Sequence, residues 1–129
     1  MPYLLDTHTL IWLREGNPRF SRKRWESVIY GGDHEIFVSI VSLWEIVIKR
    51  STGKLEFNAS MPEFSRSLRE DHGFTILGVE VPHLVRLETL ERHHGDPFDR
   101  LLIAQAIECN AIAITDDAQW KKYPVKLKW

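Results

Sequence analysis

Apolar positions along this chain recur in two rhythms. Short continuous runs stand at "YLL" (3–5), "IFVS" (36–39), "FTIL" (74–77) and "AIAIT" (111–115). Their length and their β-branched and aromatic content predict strands, and "AIAIT" has the unbroken apolar make-up of a strand covered on both faces. Between them lie stretches whose apolar residues recur at helical spacing. Asp6-Thr7 opens one that runs through Trp12, "IVSLWEIVIKR" (40–50) forms a second, and "HLVRLETL" (83–90) sets Leu84, Val85 and Leu87 on one face. Ser60 and Glu63 form a capping box with Pro62 in the permitted first turn, which predicts a helix to about Asp71 that stops near Gly73. Asp96-Pro97 starts another helix, which continues through Glu108. "VKLKW" (125–129) alternates apolar and basic side chains and predicts an edge strand guarded by lysine. "RSTGKLEFNAS" (50–60), with Gly53 and Asn58, reads as a loop between helices.

Strands alternating with helices predict an α/β domain with a mainly parallel sheet, and such sheets carry their ligand sites beyond the carboxyl ends of the strands. The length of 129 residues suits one domain, 1–129. A net charge of −1 advertises no broadly basic surface, although a local basic patch is compatible with an acidic site. The single cysteine, Cys109, excludes an internal disulfide and fits a reducing, cytoplasmic setting. No apolar run approaches the roughly 18–20 residues of a membrane span, and the N-terminus lacks the basic region of a secretory signal. Of the five tryptophans, Trp120 and Trp129 are candidates for exposed interface anchors.

Acids fall where the sheet rule places a site. Asp6 follows the first strand, and Asp116 and Asp117 follow "AIAIT". Each is also a favourable N-cap for the next element. Glu45 lies inside an otherwise apolar helical run, where a carboxylate needs a partner; a surface pair with Lys49 at i+4 is the alternative to a shared cation. Asp96 takes the N-cap of its helix and Asp99 the N3 position. Four regions thus each contribute an acid to one rim: Asp6, Glu45, Asp99 and Asp117. An all-oxygen set without cysteine or histidine spacing motifs points to Mg²⁺ or Mn²⁺ rather than zinc. His93-His94 reads as a solvated loop and His8 as support for the first helix.

The blocks "LLDTHTLIW", "SLWEIVIK", "DPFDRLLIAQA" and "ITDD", in this order and over nearly the whole chain, resemble PIN-domain proteins, and within them VapC-like ribonuclease toxins of type II toxin–antitoxin systems. The resemblance implies an α/β/α sandwich and a metal-dependent endoribonuclease that leaves 5′-phosphate and 3′-hydroxyl ends. Carried over by motif, its metal-binding and catalytic acids are Asp6, Glu45, Asp99 and Asp117; Asp96, the preceding acid of the D-P-F-D block, is a helix cap, a further ligand or both, and Asp116, at the variable position of Thr-x-Asp, ranks below Asp117 as a ligand. Thr115 becomes an orienting hydroxyl for a neighbouring carboxylate. It also implies a cognate VapB-like antitoxin and a homodimer. An acidic pocket repels RNA, so basic side chains must hold the backbone: Arg19, Arg22, Lys23, Arg24, Lys49, Arg50, Lys54 and Arg100 are the candidates.

Other classes fit less well. A phosphoacceptor receiver needs an acidic pair after the first strand, where only Asp6 stands. A dinucleotide enzyme needs a G-x-G-x-x-G turn, which is missing. A PIN nuclease of RNA processing and a non-catalytic RNA- or protein-binding module are the remaining alternatives.

Overall fold

The computed structural model describes residues 1–129. Five strands, β1 (Tyr3–Leu5), β2 (Ile36–Ser39), β3 (Thr75–Leu77), β4 (Ile112–Ile114) and β5 (Lys126–Lys128), form one sheet in the order β3-β2-β1-β4-β5. Every neighbouring pair is parallel, and Leu5 at the end of β1 lies between Val38 and Ile114. The connections are α1 (Thr7–Glu15), α2 (Arg22–Tyr30), α3 (Ile40–Ser51), α4 (Met61–Glu70), α5 (Val81–Thr89), α6 (Pro97–Glu108) and a 3₁₀ segment, Ala118–Lys122. The expected α/β/α sandwich is the observed fold, with a sheet that is parallel throughout.

Strand periodicity divides the core in two. Tyr3 and Leu5 face one layer with Leu10, Trp25, Leu43, Phe64 and Leu68, while Leu4 faces the other with Leu102, Ile103, Ala106 and Trp120. Leu4, Leu5, Leu102 and Ile103 are fully buried. Truncating any one of them to alanine costs about 2–5 kcal/mol.

Local signals explain most element ends. Gly16, in the left-handed region at φ 69°, caps α1 one turn beyond Trp12 by donating its N–H to the Leu13 and Trp12 carbonyls. Ser60 caps α4 at the Glu63 N–H, as its capping position predicts. Helix α2 is an element that the hydrophobic rhythm did not announce: Ser21 caps it, and Trp25 and Ile29, four residues apart, are its buried anchors. Trp120 is completely buried rather than an exposed anchor, and Trp129 packs edge-on against Trp12 and Phe20. No helix is long and apolar enough to cross a membrane.

Candidate active site at the carboxyl edge of the sheet

Strand order reverses beside β1: the chain moves outward through β2 and β3, then returns to place β4 on the other side. The crevice between the carboxyl ends of β1 and β4 is where an open α/β sheet binds ligands. Asp6 leaves β1 at this point and Thr115 leaves β4. The buried polar residues concentrate along this edge: Asp6, Thr7, Ser39, Ser42, Glu45, Gln105 and Thr115 are all 4% exposed or less.

Asp6 caps α1, accepting the Thr9 N–H at Oδ1 (2.7 Å), and Oδ2 accepts the Thr115 hydroxyl. Burial raises its carboxyl above the ordinary range, and the Thr115 and Thr9 hydrogen bonds pull in the opposite direction. Thr115 also accepts the Asp117 N–H at 3.1 Å, so one hydroxyl links the first acid to the last. Asp117 in turn caps the 3₁₀ segment at Gln119.

Glu45 is on the inward side of α3 and only 2% exposed. One oxygen pairs with Lys49 at 2.5 Å; the other, Oε1, is buried without any hydrogen-bond partner. An orphaned anionic oxygen inside a protein is costly. The Lys49 pair expected for a solvated helix face is therefore present, but the carboxylate it serves is buried.

Asp96 caps α6 by accepting the Phe98 and Asp99 N–H groups at 2.9 and 3.2 Å, while Asp99, at N3, looks across the rim. The Asp99 carboxyl is raised from 3.8 to about 6, first by burial and next by Asp96; Asp117 and Glu45 push the same way, and a contact with His94 opposes them. Three further acids therefore act on Asp99. Asp116 points outward and is exposed. The four rim acids are not gathered into a ready-made cage: no three acidic, histidine or cysteine side chains converge on one point. Two of the four, Asp6 and Asp117, are occupied as caps, as is the neighbouring Asp96, and Asp6 has both oxygens hydrogen-bonded.

The donor set nonetheless fits a hard divalent cation. It is all oxygen, it concentrates negative charge at one edge, and Glu45 Oε1, the oxygen not paired with Lys49, is buried without a hydrogen-bond partner. A pocket of about 490 Å³ between α5 and the end of α6 is lined by none of these acids. A smaller one of about 250 Å³ lies beside Asp117 and is lined by Thr115, Asp116, Lys121, Lys128 and Trp129 among others.

The basic candidates scatter. Arg50 donates to the Phe57 and Ala59 carbonyls and so ties down the loop after α3. Arg100 donates to the Leu90 carbonyl. Arg22 leans over Tyr30, whose ring stacks on Phe74 just before β3, and Arg24 leans over Trp25, which meets Tyr3 at the start of β1. Both are thereby held toward the amino edge of the sheet, away from the acids. Lys23 and Lys54 are exposed. Arg19 differs: it lies 5.5 Å over Trp12, which abuts Trp129 beyond the carboxyl end of β5, on the side of the acidic rim.

Sequence reasoning missed His94. It is not a solvated loop residue: its side chain is 14% exposed and lies between Tyr123 and Asp99. Its position five residues before Asp99 was the one available signal. His8, by contrast, is exposed and tilts over Trp12.

Solved structures share this architecture. The VapBC2 complex from Rickettsia felis bound to a promoter DNA fragment matches with a TM-score of 0.74 at 18% identity, over 99% of this chain and 98% of that one. DNA-bound VapBC from Salmonella typhimurium gives 0.71 at 14% identity, over 99% and 97%. VapBC-1 from nontypeable Haemophilus influenzae gives 0.70 at 19%, over 99% and 97%. No curated protein matches the sequence. A PIN-domain family model matches residues 3–126. Because that match runs from the first residue of β1 to the first of β5, through every acid of the rim, the chain belongs to the PIN-domain family.

Proposed function

We propose that this chain is a divalent-metal-dependent endoribonuclease of the VapC-like toxin kind, acting in the cytoplasm and held in check by a cognate VapB-like antitoxin. The observation that carries the proposal is Glu45: a buried carboxylate with one orphaned oxygen, facing an Asp99 whose proton affinity is raised by burial and then by its acidic neighbours. Asp6, Glu45, Asp99 and Asp117 would hold the ion, with Asp96 and Asp116 at the margin. Bound there, Mg²⁺ or Mn²⁺ supplies a hydroxide nucleophile near neutral pH and neutralises charge on the phosphodiester. The chain's own part is orientation. Thr9 and Thr115 fix the Asp6 oxygens, and the Asp96 cap fixes the first turn of α6 that presents Asp99.

Antitoxin control and a homodimer extend the same reading. Its support is the VapBC assemblies among the structural relatives and two exposed apolar faces, Ile40, Trp44, Val47 and Ile48 on α3 and Val81, Leu84 and Val85 on α5. The decisive experiment incubates purified protein with a structured RNA pool in Mg²⁺, Mn²⁺ or EDTA, beside Asp6→Asn and Asp99→Asn. Cleavage that requires the metal and disappears in both variants is the expected result. Cleavage at the wild-type rate in either variant overturns the site assignment.

A further inference from the structure

Tyr123 stands directly after the 3₁₀ segment and is 5% exposed. The rings of His93 and His94 flank it, both edge-on, at 4.9 and 5.4 Å. Its hydroxyl oxygen accepts the backbone N–H of His93 at 3.2 Å and of His94 at 3.3 Å. Those donors fill its two acceptor sites, so its own hydrogen needs an acceptor, and His94 Nδ1 stands 2.7 Å away. An accepting Nδ1 leaves the hydrogen of the neutral ring on Nε2. That nitrogen faces Asp99 Oδ2 at 3.4 Å, the one hydrogen bond the Asp99 side chain makes. Contacts of this length are common before a site is loaded and tighten when it is.

We infer that Tyr123 and His94 form a positioning relay that holds the Asp99 carboxylate in one orientation at the acidic rim. The inference rests on reading Asp99 as a cation ligand. It fixes Oδ2 from outside and leaves Oδ1 for the ion. Keeping the loop in place does not require the imidazole, because the two backbone N–H bonds to the Tyr123 oxygen already do so. What the ring adds is a directed N–H toward Asp99. Groups that orient a ligand from outside the coordination shell contribute strongly to metal affinity and activity.

The test measures Mn²⁺ affinity calorimetrically on the protein without RNA, and kcat and KM for RNA cleavage, in wild type, His94→Ala, His94→Gln and Tyr123→Phe. The glutamine amide can place an N–H where Nε2–H stands. His94→Ala should weaken Mn²⁺ binding and lower kcat roughly 10–100-fold while KM for RNA stays within about twofold. His94→Gln should recover most of both, and Tyr123→Phe should fall between. Wild-type Mn²⁺ affinity and kcat in His94→Ala overturn the relay. So does an equal loss in the alanine and glutamine variants that tracks an equal fall in thermal midpoint, since the imidazole is then a packing group. A wild type that binds Mn²⁺ but cuts no RNA defeats the ribonuclease reading alone, and the relay is then decided by the binding constants. A wild type that binds no Mn²⁺ overturns both.

Discussion

Thr115, just past β4, donates its hydroxyl hydrogen to Asp6, just past β1, and the two meet because their strands pair in parallel register, Leu5 beside Ile114. The same hydroxyl accepts the Asp117 N–H. Thr115→Val keeps the shape and removes both bonds, stranding a buried carboxylate oxygen. We expect it to lower stability by about 1–3 kcal/mol in urea unfolding and to lower RNA cleavage roughly 10–100-fold. Thr115→Ser retains the hydroxyl and should stay near wild type on both measures. A valine variant with wild-type activity would mean that Asp6 needs no orientation from β4.

Glu45 gives a prediction about metal and stability together. In the metal-free protein Glu45→Gln removes the cost of an orphaned anionic oxygen together with the pair to the part-exposed Lys49, so the variant should lie within about 1 kcal/mol of wild type without metal. In wild type, Mn²⁺ at a hundredfold its Kd should add about 2.7 kcal/mol of stability. Most of that gain should vanish in Glu45→Gln. Differential scanning fluorimetry with and without Mn²⁺ reads both numbers, and an undiminished Mn²⁺ shift in the variant would remove Glu45 from the ligand set.

How much of this was legible beforehand depended on whether the signal was local. Strand β1 and its acid are adjacent in sequence, as are β4 and Thr115, so the rim followed once the sheet was read as parallel. The Asp96-Pro97 helix start was equally local. Helix α2 was not legible because only Trp25 and Ile29 are fully buried and its first turn is a basic run, which masked the Ser21 cap. His94 was missed for a different reason. Its two partners lie five residues away in Asp99 and 29 away in Tyr123, and only the fold brings the second one close. Trp120 illustrates the limit of composition: the sequence places it just before two lysines, yet the 3₁₀ turn buries it in the cluster with Leu102 and Ile103 of α6.

The raised Asp99 carboxyl sets the pH dependence of stability. Folded, it holds its proton up to about pH 6; unfolded, it releases it near 3.8. The folded chain therefore binds more protons between those values, and this contribution to stability falls as pH rises through that window, then levels off. Asp6 is shifted in the same direction. The full shift at Asp99 corresponds to about 3 kcal/mol, and solvent screening of a side chain still 16% exposed reduces it to on the order of 1 kcal/mol. Metal-free Asp99→Asn should thus be more stable than wild type at pH 7, by a few degrees in thermal midpoint, and no more stable at pH 4. Saturating Mn²⁺ should reverse the order at pH 7. A variant that is less stable than wild type without metal at pH 7 contradicts the account of Asp99 as a carboxylate whose charge is disfavoured by burial and by its acidic neighbours.

Two arginines that looked equivalent in sequence should behave differently. Arg50 is bonded to the Phe57 and Ala59 carbonyls, so Arg50→Ala frees a loop whose Phe57 and Ala59 are buried. It should cost about 1–2 kcal/mol of stability and leave the salt dependence of RNA binding unchanged. Arg19 makes no ion pair and lies over Trp12 on the side of the acids. Arg19→Ala should leave stability within about 0.5 kcal/mol yet weaken RNA binding, with the slope of log K against log salt flattening by about 0.7, the release of one counterion from a single strand. Arg22→Ala and Arg24→Ala, held toward the opposite edge, should leave that slope alone. Binding is best followed with the Asp6→Asn background, which removes cleavage from the measurement. If the α2 variants change the slope and Arg19→Ala does not, RNA approaches across the amino edge of the sheet, and an active site at the carboxyl edge is then out of its reach.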